Sequence, residues 1–170
     1  MTGIRLRPLS IAVLASLSLG LGACSTNLFG PMASPTVEDV PPLPAPEIPA
    51  SIRAEEVVGR WGLAAFHKPE DRPRIEAAAK NQCGPKAYVI NRGPSGGVMM
   101  HLADQTQATE LRLKGGPGGK NYIGPPGASG LPEDREIVSF NGRVMIARFV
   151  DPEVAGRFGT QVYVRCAARA

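Results

Sequence analysis

The stretch IVSFNGRVMIA, residues 137–147, decides the fold class. Its centre, Asn141-Gly142, separates two short runs of apolar and β-branched residues at 137–140 and 144–147. This arrangement is typical of a β-hairpin with a type I′ turn, in which both central residues take positive φ. The stretch therefore predicts two antiparallel strands joined by a tight turn.

Similar short strands are predicted on both sides of this hairpin. Trp61 and Leu63 share one side of an alternating run, and Val98 and Met100 share one side of another, as expected of strands with one buried face. Eight short antiparallel strands predict a mainly β domain, either a small up-and-down β-barrel or a strongly curled sheet. The predicted strands lie at 57–67, 86–91, 97–102, 107–114, around Tyr122, 137–140, 144–147 and 160–166.

One short helix is predicted after the first strand, over residues 71–82. Asp71 can cap its first turn, Pro73 suits that turn, and Gly84-Pro85 ends the helix. The segment 151–159 is interpreted as a turn with local ion pairing, so no second helix is predicted. The inner face of the one helix is rich in small residues, which can lie closely against a sheet, and consists of Ile75, Ala78, Ala79 and Gln82.

The composition agrees with one β-rich domain plus some unstructured length. Of 170 residues, 43% are apolar and 20% are charged, which is enough for a hydrophobic core. The 20 glycines and 17 prolines exclude a helical bundle and indicate many turns or a long linker. The net charge is +4, but the basic residues are scattered, without the clustered stripe that nucleic-acid binding requires. We therefore predict no nucleic-acid partner.

The first 24 residues predict export and lipidation. Arg5 and Arg7 precede an apolar stretch at 9–21 that has the length of a signal-peptide core and is too short to span a membrane. The ending Leu21-Gly22-Ala23-Cys24 resembles the bacterial lipobox. That resemblance implies that residues 1–23 are removed as a signal peptide and that acyl chains such as palmitate anchor Cys24 in the membrane. An ordinary secretory signal that contains a cysteine is the alternative.

Residues 24–52 are predicted to be the lipidated cysteine and a Pro-rich linker, followed by a single folded domain over 53–170. Seven prolines between positions 25 and 52 favour extended or polyproline II chain over a helix or a ladder. A spacer is the favoured interpretation, and a recognition motif for a partner is the alternative. By resemblance to the sorting rule of enterobacterial lipoproteins, Ser25 in place of Asp favours the periplasmic face of the outer membrane over the inner membrane.

The two remaining cysteines, Cys83 and Cys166, predict a disulfide bond. In an oxidising periplasm a lone pair of cysteines is typically bonded. A metal site would need more ligands, and a catalytic thiol would leave an odd cysteine. The bond would join the start of the domain to its last strand.

A family resemblance rests on Gly59-Arg60-Trp61 and Arg165. These residues resemble the Gly-x-Trp motif and the late arginine of the lipocalin and calycin superfamily, in which the arginine packs across the tryptophan at the closed end of a β-barrel. This implies a barrel-closing pair, Trp61 and Arg165. A core aromatic and a solvated edge arginine are the alternatives.

The order of lipobox, Pro-rich spacer and Val57-Val58-Gly59-Arg60-Trp61 also resembles small outer-membrane lipoproteins of alphaproteobacteria. Some of these have barrels like the bacterial metalloprotease inhibitors. The inhibitors insert a free N-terminal strand into the protease, whereas the N-terminus predicted here is lipidated, and the helix and cysteine spacing differ.

Candidate catalytic motifs lack the context that their chemistry needs. Gly93-Pro94-Ser95-Gly96-Gly97 fits G-x-S-x-G, with His101 and Asp104 nearby, but a strand and not a helix is predicted after it, so we predict a hairpin loop. Residues 115–120, GGPGGK, lack the first glycine and the Ser or Thr of a phosphate-binding loop. We interpret 115–132 as a long mobile loop, with slack favoured over a binding lid.

No catalytic residue, metal site or cofactor is predicted. His67 and His101, the only histidines, have no cluster of carboxylates near them in the sequence. The favoured hypothesis is a non-enzymatic lipoprotein that contacts the membrane through its acyl chains and serves as a periplasmic binding or envelope-structural module, with an envelope protein as its partner. The alternatives are a protease inhibitor with a small barrel and a calycin-like carrier of a small apolar ligand.

Overall fold

Eight antiparallel strands form a closed barrel in the computed structural model, which describes residues 47–167. Each strand pairs with the next one along the chain, and the last returns to pair with the first. All eight lie on predicted segments, so the mainly β barrel is confirmed, and closure decides against an open curled sheet. The strands are β2 (Gly59–Phe66), β3 (Tyr88–Arg92), β4 (Val98–His101), β5 (Ala108–Gly115), β6 (Asn121–Gly124), β7 (Arg135–Phe140), β8 (Val144–Phe149) and β9 (Thr160–Arg165).

Closure depends on a continuous ladder between β2 and β9. Six residue pairs match in register, from Trp61 opposite Arg165 to Phe66 opposite Thr160. These strands lie about a hundred residues apart in the chain, so their pairing removes both free edges of the sheet at once. The predicted signal peptide, Cys24 and residues 24–46 of the predicted linker lie outside the described residues.

A short ninth strand, β1 (Ile48–Pro49), lies before the predicted start of the folded domain at Arg53. Ile48 pairs with Gly115 and Pro49 pairs with Lys114 at the end of β5. The Pro-rich character led to the prediction that this stretch could not join a ladder. The pairing is possible because it involves only two residues and because Gly115 has no side chain: a Cβ there would lie 2.3 Å from the Pro49 carbonyl oxygen.

Within residues 47–167 three α-helices accompany the barrel, so the prediction of a single helix is wrong. The predicted helix is confirmed as α2 (Arg72–Lys80), with Asp71 at its N-cap position, although the Asp71 carboxylate contacts Arg74 at 2.9 Å and does not cap the backbone. A four-residue helix, α1 (Ala54–Val57), precedes β2. None of the helices in the described part of the chain is long and apolar enough to cross a membrane.

The third helix, α3 (Pro152–Phe158), replaces the turn predicted at 151–159. Asp151 caps it, because its carboxylate accepts hydrogen bonds from the backbone N–H groups of Glu153 and Val154. Pro152 occupies the first helical position, where its missing N–H is not needed, and Gly159 ends the helix with a φ of 68°. The local signals for a helix were therefore present in the sequence.

The predicted hairpin at 137–147 is confirmed, but its type I′ turn is wrong. Phe140 pairs with Met145, which leaves four residues in the loop, and Gly142 has a φ of 79°. Among the described residues Asp104 is the one non-glycine with positive φ, so Asn141 does not take the left-handed conformation that type I′ requires. The Asn141 side chain instead accepts hydrogen bonds from the N–H groups of Arg143 and Val144.

The barrel interior holds the core, and α2 packs on its outer face. Gly62 of β2 allows that contact, because a Cβ there would lie 1.8 Å from the Ala79 carbonyl oxygen. The predicted disulfide joins Cys83, after α2, to Cys166, after β9, with Cα atoms 5.3 Å apart. The fully buried side chains inside include Trp61, Ile90, Val98, Met100, Leu111, Ile123, Met145 and Tyr163.

Candidate functional site

One end of the barrel is closed by α1 and by two side chains, Trp61 and Arg165. The Trp61 indole N–H donates to the Val57 carbonyl oxygen at 2.9 Å. The guanidinium carbon of Arg165 lies 4.2 Å from the centre of the Trp61 ring, within the range of a cation–π contact. The structure thus brings together the two residues that the lipocalin resemblance implied as a pair.

The Arg165 guanidinium also binds three carbonyl oxygens, which lie on two backbone segments at this end. It donates to the carbonyl oxygens of Gly142 at 2.6 Å, Val58 at 3.1 Å and Glu56. Burial lowers the pKa of Arg165 below its ordinary value. Gly59 makes room for it, because a Cβ on Gly59 would lie 2.7 Å from the Arg165 Nη1. These contacts hold α1 across the barrel and fill this end with protein.

The opposite end of the barrel, the open end, contains a cavity of about 430 Å³, the open-end cavity. It lies beside the last residue of β4, the first of β7 and the last of β8, and it is bordered by the loop 102–106 and by α3. Its volume is within the ~300–1,000 Å³ typical of small-molecule sites. The cavity walls are mainly aromatic and apolar, and the aromatic lining residues are Tyr88, Phe149, Phe158 and Tyr163.

Tyrosine hydroxyl groups supply part of the polar surface of this cavity. Tyr163 is fully buried, and its hydroxyl donates to the Gln161 side-chain oxygen at 2.8 Å. Burial raises the pKa of Tyr163 to about 12, although the nearby charge of Arg135 acts in the opposite direction. The Tyr88 hydroxyl lies 3.1 Å from His101 Nδ1 and accepts a hydrogen bond from the His101 backbone N–H.

Arg135 is the buried cation of the cavity, with only 4% of its surface exposed. Its Nη2 donates to the His101 carbonyl oxygen, and its guanidinium carbon lies 4.4 Å from the centre of the Phe149 ring. Its Nε and Nη1 are also buried but have no hydrogen-bond acceptor among residues 47–167. Buried polar atoms in folded proteins usually have partners, so this side chain differs from the ordinary core.

The rim of the cavity is held by an ion pair between two segments that are distant in sequence. Arg157 of α3 donates twice to the Asp104 carboxylate, at 2.7 and 3.0 Å. This contact raises the pKa of Arg157 above its ordinary value. Phe158 of the same helix lies 5.6 Å from Phe149, centre to centre. The helix that sequence analysis missed therefore forms part of the cavity mouth.

A larger depression, of about 710 Å³, lies outside the barrel between β1 and the loop at 126–129. Its buried cation, Lys114, contacts the fully buried Asp134 at 2.6 Å and donates to the carbonyl oxygens of Pro125 and Ala128. The Asp134 carboxylate also accepts hydrogen bonds from the backbone N–H groups of Gly130 and Leu131. These bonds hold residues 125–131 on the barrel, so this part of 115–132 is not slack.

The G-x-S-x-G stretch forms the predicted hairpin loop, between β3 and β4. The N–H groups of Ser95 and Gly97 donate to the Glu110 carboxylate, which lowers the pKa of Glu110. His101 lies at the other end of β4 from this loop, and Asp104 is occupied by Arg157. The structure therefore does not bring these residues together as a nucleophile set.

The histidines do not share a ligand cluster. His67 is exposed, while His101 contacts Tyr88. Within residues 47–167, no group of three His, Cys, Asp or Glu side chains is placed to hold a metal ion.

Arg135 is the functional candidate that sequence analysis missed. It stands in the charged run Glu133-Asp134-Arg135-Glu136, which has the pattern of a solvated surface segment. Its position two residues before the strand run at 137–140 was the only local signal.

Comparison with protein-family models, curated proteins and solved structures finds no match to this chain.

Proposed function

We propose that this chain is a non-enzymatic lipoprotein whose barrel binds a small, partly apolar ligand at its open end. One observation carries the proposal: a barrel closed by Trp61 and Arg165 at one end has an aromatic-lined cavity of about 430 Å³ at the other. A barrel filled only by its own side chains would not leave such a space. The proposal unites two of the sequence hypotheses, a periplasmic binding module and a carrier.

The proposed location is the periplasmic face of the outer membrane, with acyl chains on Cys24 as the anchor. Support comes from Leu21-Gly22-Ala23-Cys24 and from a disulfide suited to an oxidising space. Cells that express the chain are labelled with radioactive palmitate, and the membranes are separated. We expect label on the wild type in the outer membrane and none on Cys24→Ser. Equal labelling of both chains, or no labelling, would contradict the anchor.

Ligand binding is tested with residues 24–170 carrying Cys24→Ser, exported behind an ordinary cleavable secretory signal peptide, so that the chain carries no acyl group and needs no detergent. The neutral fluorescent probe N-phenyl-1-naphthylamine should bind in the cavity. Ala103 lines the cavity, so Ala103→Trp should weaken binding at least about tenfold by occupying the space. The matched control is Ala77→Trp, which places the same side chain on the exposed surface of α2. Binding that is absent, or equal in both variants, would overturn the proposed function.

The protease-inhibitor hypothesis gives a different outcome in a second assay. The same exported chain is added to a panel of secreted and periplasmic proteases. We expect no inhibition. Inhibition that persists in Ala103→Trp would favour an inhibitor over a carrier.

A further inference from the structure

We propose that the ligand of the open-end cavity is an amphiphilic organic anion whose negatively charged headgroup pairs with Arg135. This inference rests on the proposed function, since it names the chemical class of the ligand. A guanidinium has five N–H donors, and three of those on Arg135, at Nε and Nη1, are buried without an acceptor among the described residues. The one protein acceptor identified is the His101 carbonyl oxygen.

The buried Lys114 and the half-buried Arg165 show what a cation with a full set of partners looks like. Lys114 has a carboxylate at 2.6 Å and two carbonyl oxygens. Arg165 has three carbonyl oxygens and the face of Trp61. Arg135 has one carbonyl oxygen and the face of Phe149, although it is 4% exposed. Of the two buried cations within residues 47–167, Arg135 is therefore the one with nitrogen atoms that lack an acceptor.

No protein carboxylate of the cavity lining is available to neutralise this charge. Asp104 is the one acidic residue among the lining residues, and both of its oxygens are bound by Arg157. A buried cation without a counter-ion is unfavourable in a medium of low dielectric constant. An anion that enters the cavity would provide the missing acceptors in a charge-assisted pair.

The walls of the cavity define the remainder of the ligand. Four aromatic side chains surround the space next to Arg135, and Leu63 and Leu102 add aliphatic surface. An inorganic anion would leave this apolar surface without contact. A ligand with an apolar body and an anionic head satisfies both the walls and the guanidinium. A carboxylate and a phosphate monoester share this chemistry, so the experiment includes both.

The test uses calorimetric titration of the exported Cys24→Ser chain with decanoate, decyl phosphate and decanol. The three probes share one apolar chain and differ in headgroup. We expect at least one of the anions to bind about 10- to 100-fold more tightly than decanol, the range of a charge-assisted hydrogen bond. Tighter binding of decanoate than of decyl phosphate would assign a carboxylate headgroup to the ligand. The reverse order of affinities would assign a phosphate ester.

Arg135→Gln should reduce the affinity for the anions to that for decanol and leave decanol binding unchanged. Arg135→Lys keeps the positive charge and should retain part of the preference for the anions over decanol. It therefore provides a second test if Arg135→Gln does not fold. Arg148→Gln is the matched control, because Arg148 is an exposed arginine on neighbouring β8. It should change neither affinity.

The possible failures are distinguishable. If none of the three probes binds and the neutral naphthylamine probe also fails, the proposed function itself is wrong. If decanol binds as tightly as both anions, or if Arg135→Gln keeps the preference for an anion, the cavity binds a ligand but the role of Arg135 is overturned.

Discussion

Replacing Asp134 by Asn tests the buried ion pair that holds the loop 125–131 on the barrel. The Asp134 side chain is 0% exposed, the Lys114 side chain is 8% exposed, and their charged atoms lie 2.6 Å apart. Removing one partner of such a pair leaves an uncompensated buried charge, which costs about 3–5 kcal/mol. Asp134 also accepts two backbone hydrogen bonds, from Gly130 and Leu131, that a neutral amide accepts less strongly.

We therefore expect Asp134→Asn to lower the free energy of unfolding by about 3–5 kcal/mol. For a domain of this size the melting temperature should fall by roughly 10–20 °C. Urea unfolding followed by the fluorescence of Trp61, the single tryptophan and a fully buried one, measures the change. The matched control is Asp104→Asn, which breaks a pair whose side chains are 48% and 56% exposed. It should cost less than about 1 kcal/mol.

A double-mutant cycle with Lys114→Met completes the test. Because the two charges depend on each other, the double variant should be more stable than the sum of the two single losses predicts. The reasoning is refuted if Asp134→Asn costs no more than Asp104→Asn. It is equally refuted if the losses in the cycle simply add.

Three further predictions concern the closed end, the disulfide and a buried tyrosine. Arg165→Met should cost about 2–4 kcal/mol in urea unfolding, because three carbonyl oxygens lose their donor and the Trp61 ring loses its cation. Cys83→Ser should cost about 2–5 kcal/mol, since a bond with a sequence separation of 83 residues constrains the unfolded chain. Burial raises the pKa of Tyr163 to about 12 in the folded state, so folding favours the neutral phenol. The free energy of unfolding should therefore keep its full value below pH 10 and fall by about 2–3 kcal/mol as the pH rises from 10 to 12. Tyr163→Phe should remove that loss.

Each of these three predictions has its own control. Arg148→Met removes an exposed arginine and should change stability by less than about 0.5 kcal/mol; an equal loss in Arg165→Met would contradict the closed-end contacts. Reducing the wild type should reproduce the Cys83→Ser result, and a reduced protein of unchanged stability would rule out a stabilising bond. For Tyr163, denaturation curves at pH 9 and pH 12 are compared, and identical alkaline losses in wild type and Tyr163→Phe would exclude this residue as the cause.

Much of the architecture was predictable because strands and hairpins are local patterns. The alternation around Met100 and the turn at Asn141-Gly142 report on residues only a few positions away. The α2 helix and the Cys83–Cys166 pair followed from similarly simple reasoning, one from turn residues and the other from a count of cysteines. The missed helix α3 carried the same kind of signal, namely Asp151-Pro152 at its start and Gly159 at its end. That error was one of interpretation.

The open-end site was not predictable, for a physical reason. Arg135 follows two acidic residues and precedes a third, so its neighbours in sequence suggest solvent. Its burial results from Phe149 and His101, which arrive from other strands. The four-residue helix α1 is likewise held by Arg165, more than a hundred residues later. Contacts of this kind exist only after the chain closes on itself.

The amino-acid sequence by itself determined the eight strands and the pairing of the two cysteines, and it predicts a location at the membrane. Periodicity, turn chemistry and the order of short motifs are all properties of neighbouring residues. Only the tertiary structure decided that the sheet closes, that one end is filled by Trp61 and Arg165, and that Arg135 is buried at the other, where its Nε and Nη1 have no acceptor among residues 47–167. Burial and charge pairing depend on which distant segments meet, and a linear pattern does not contain that information.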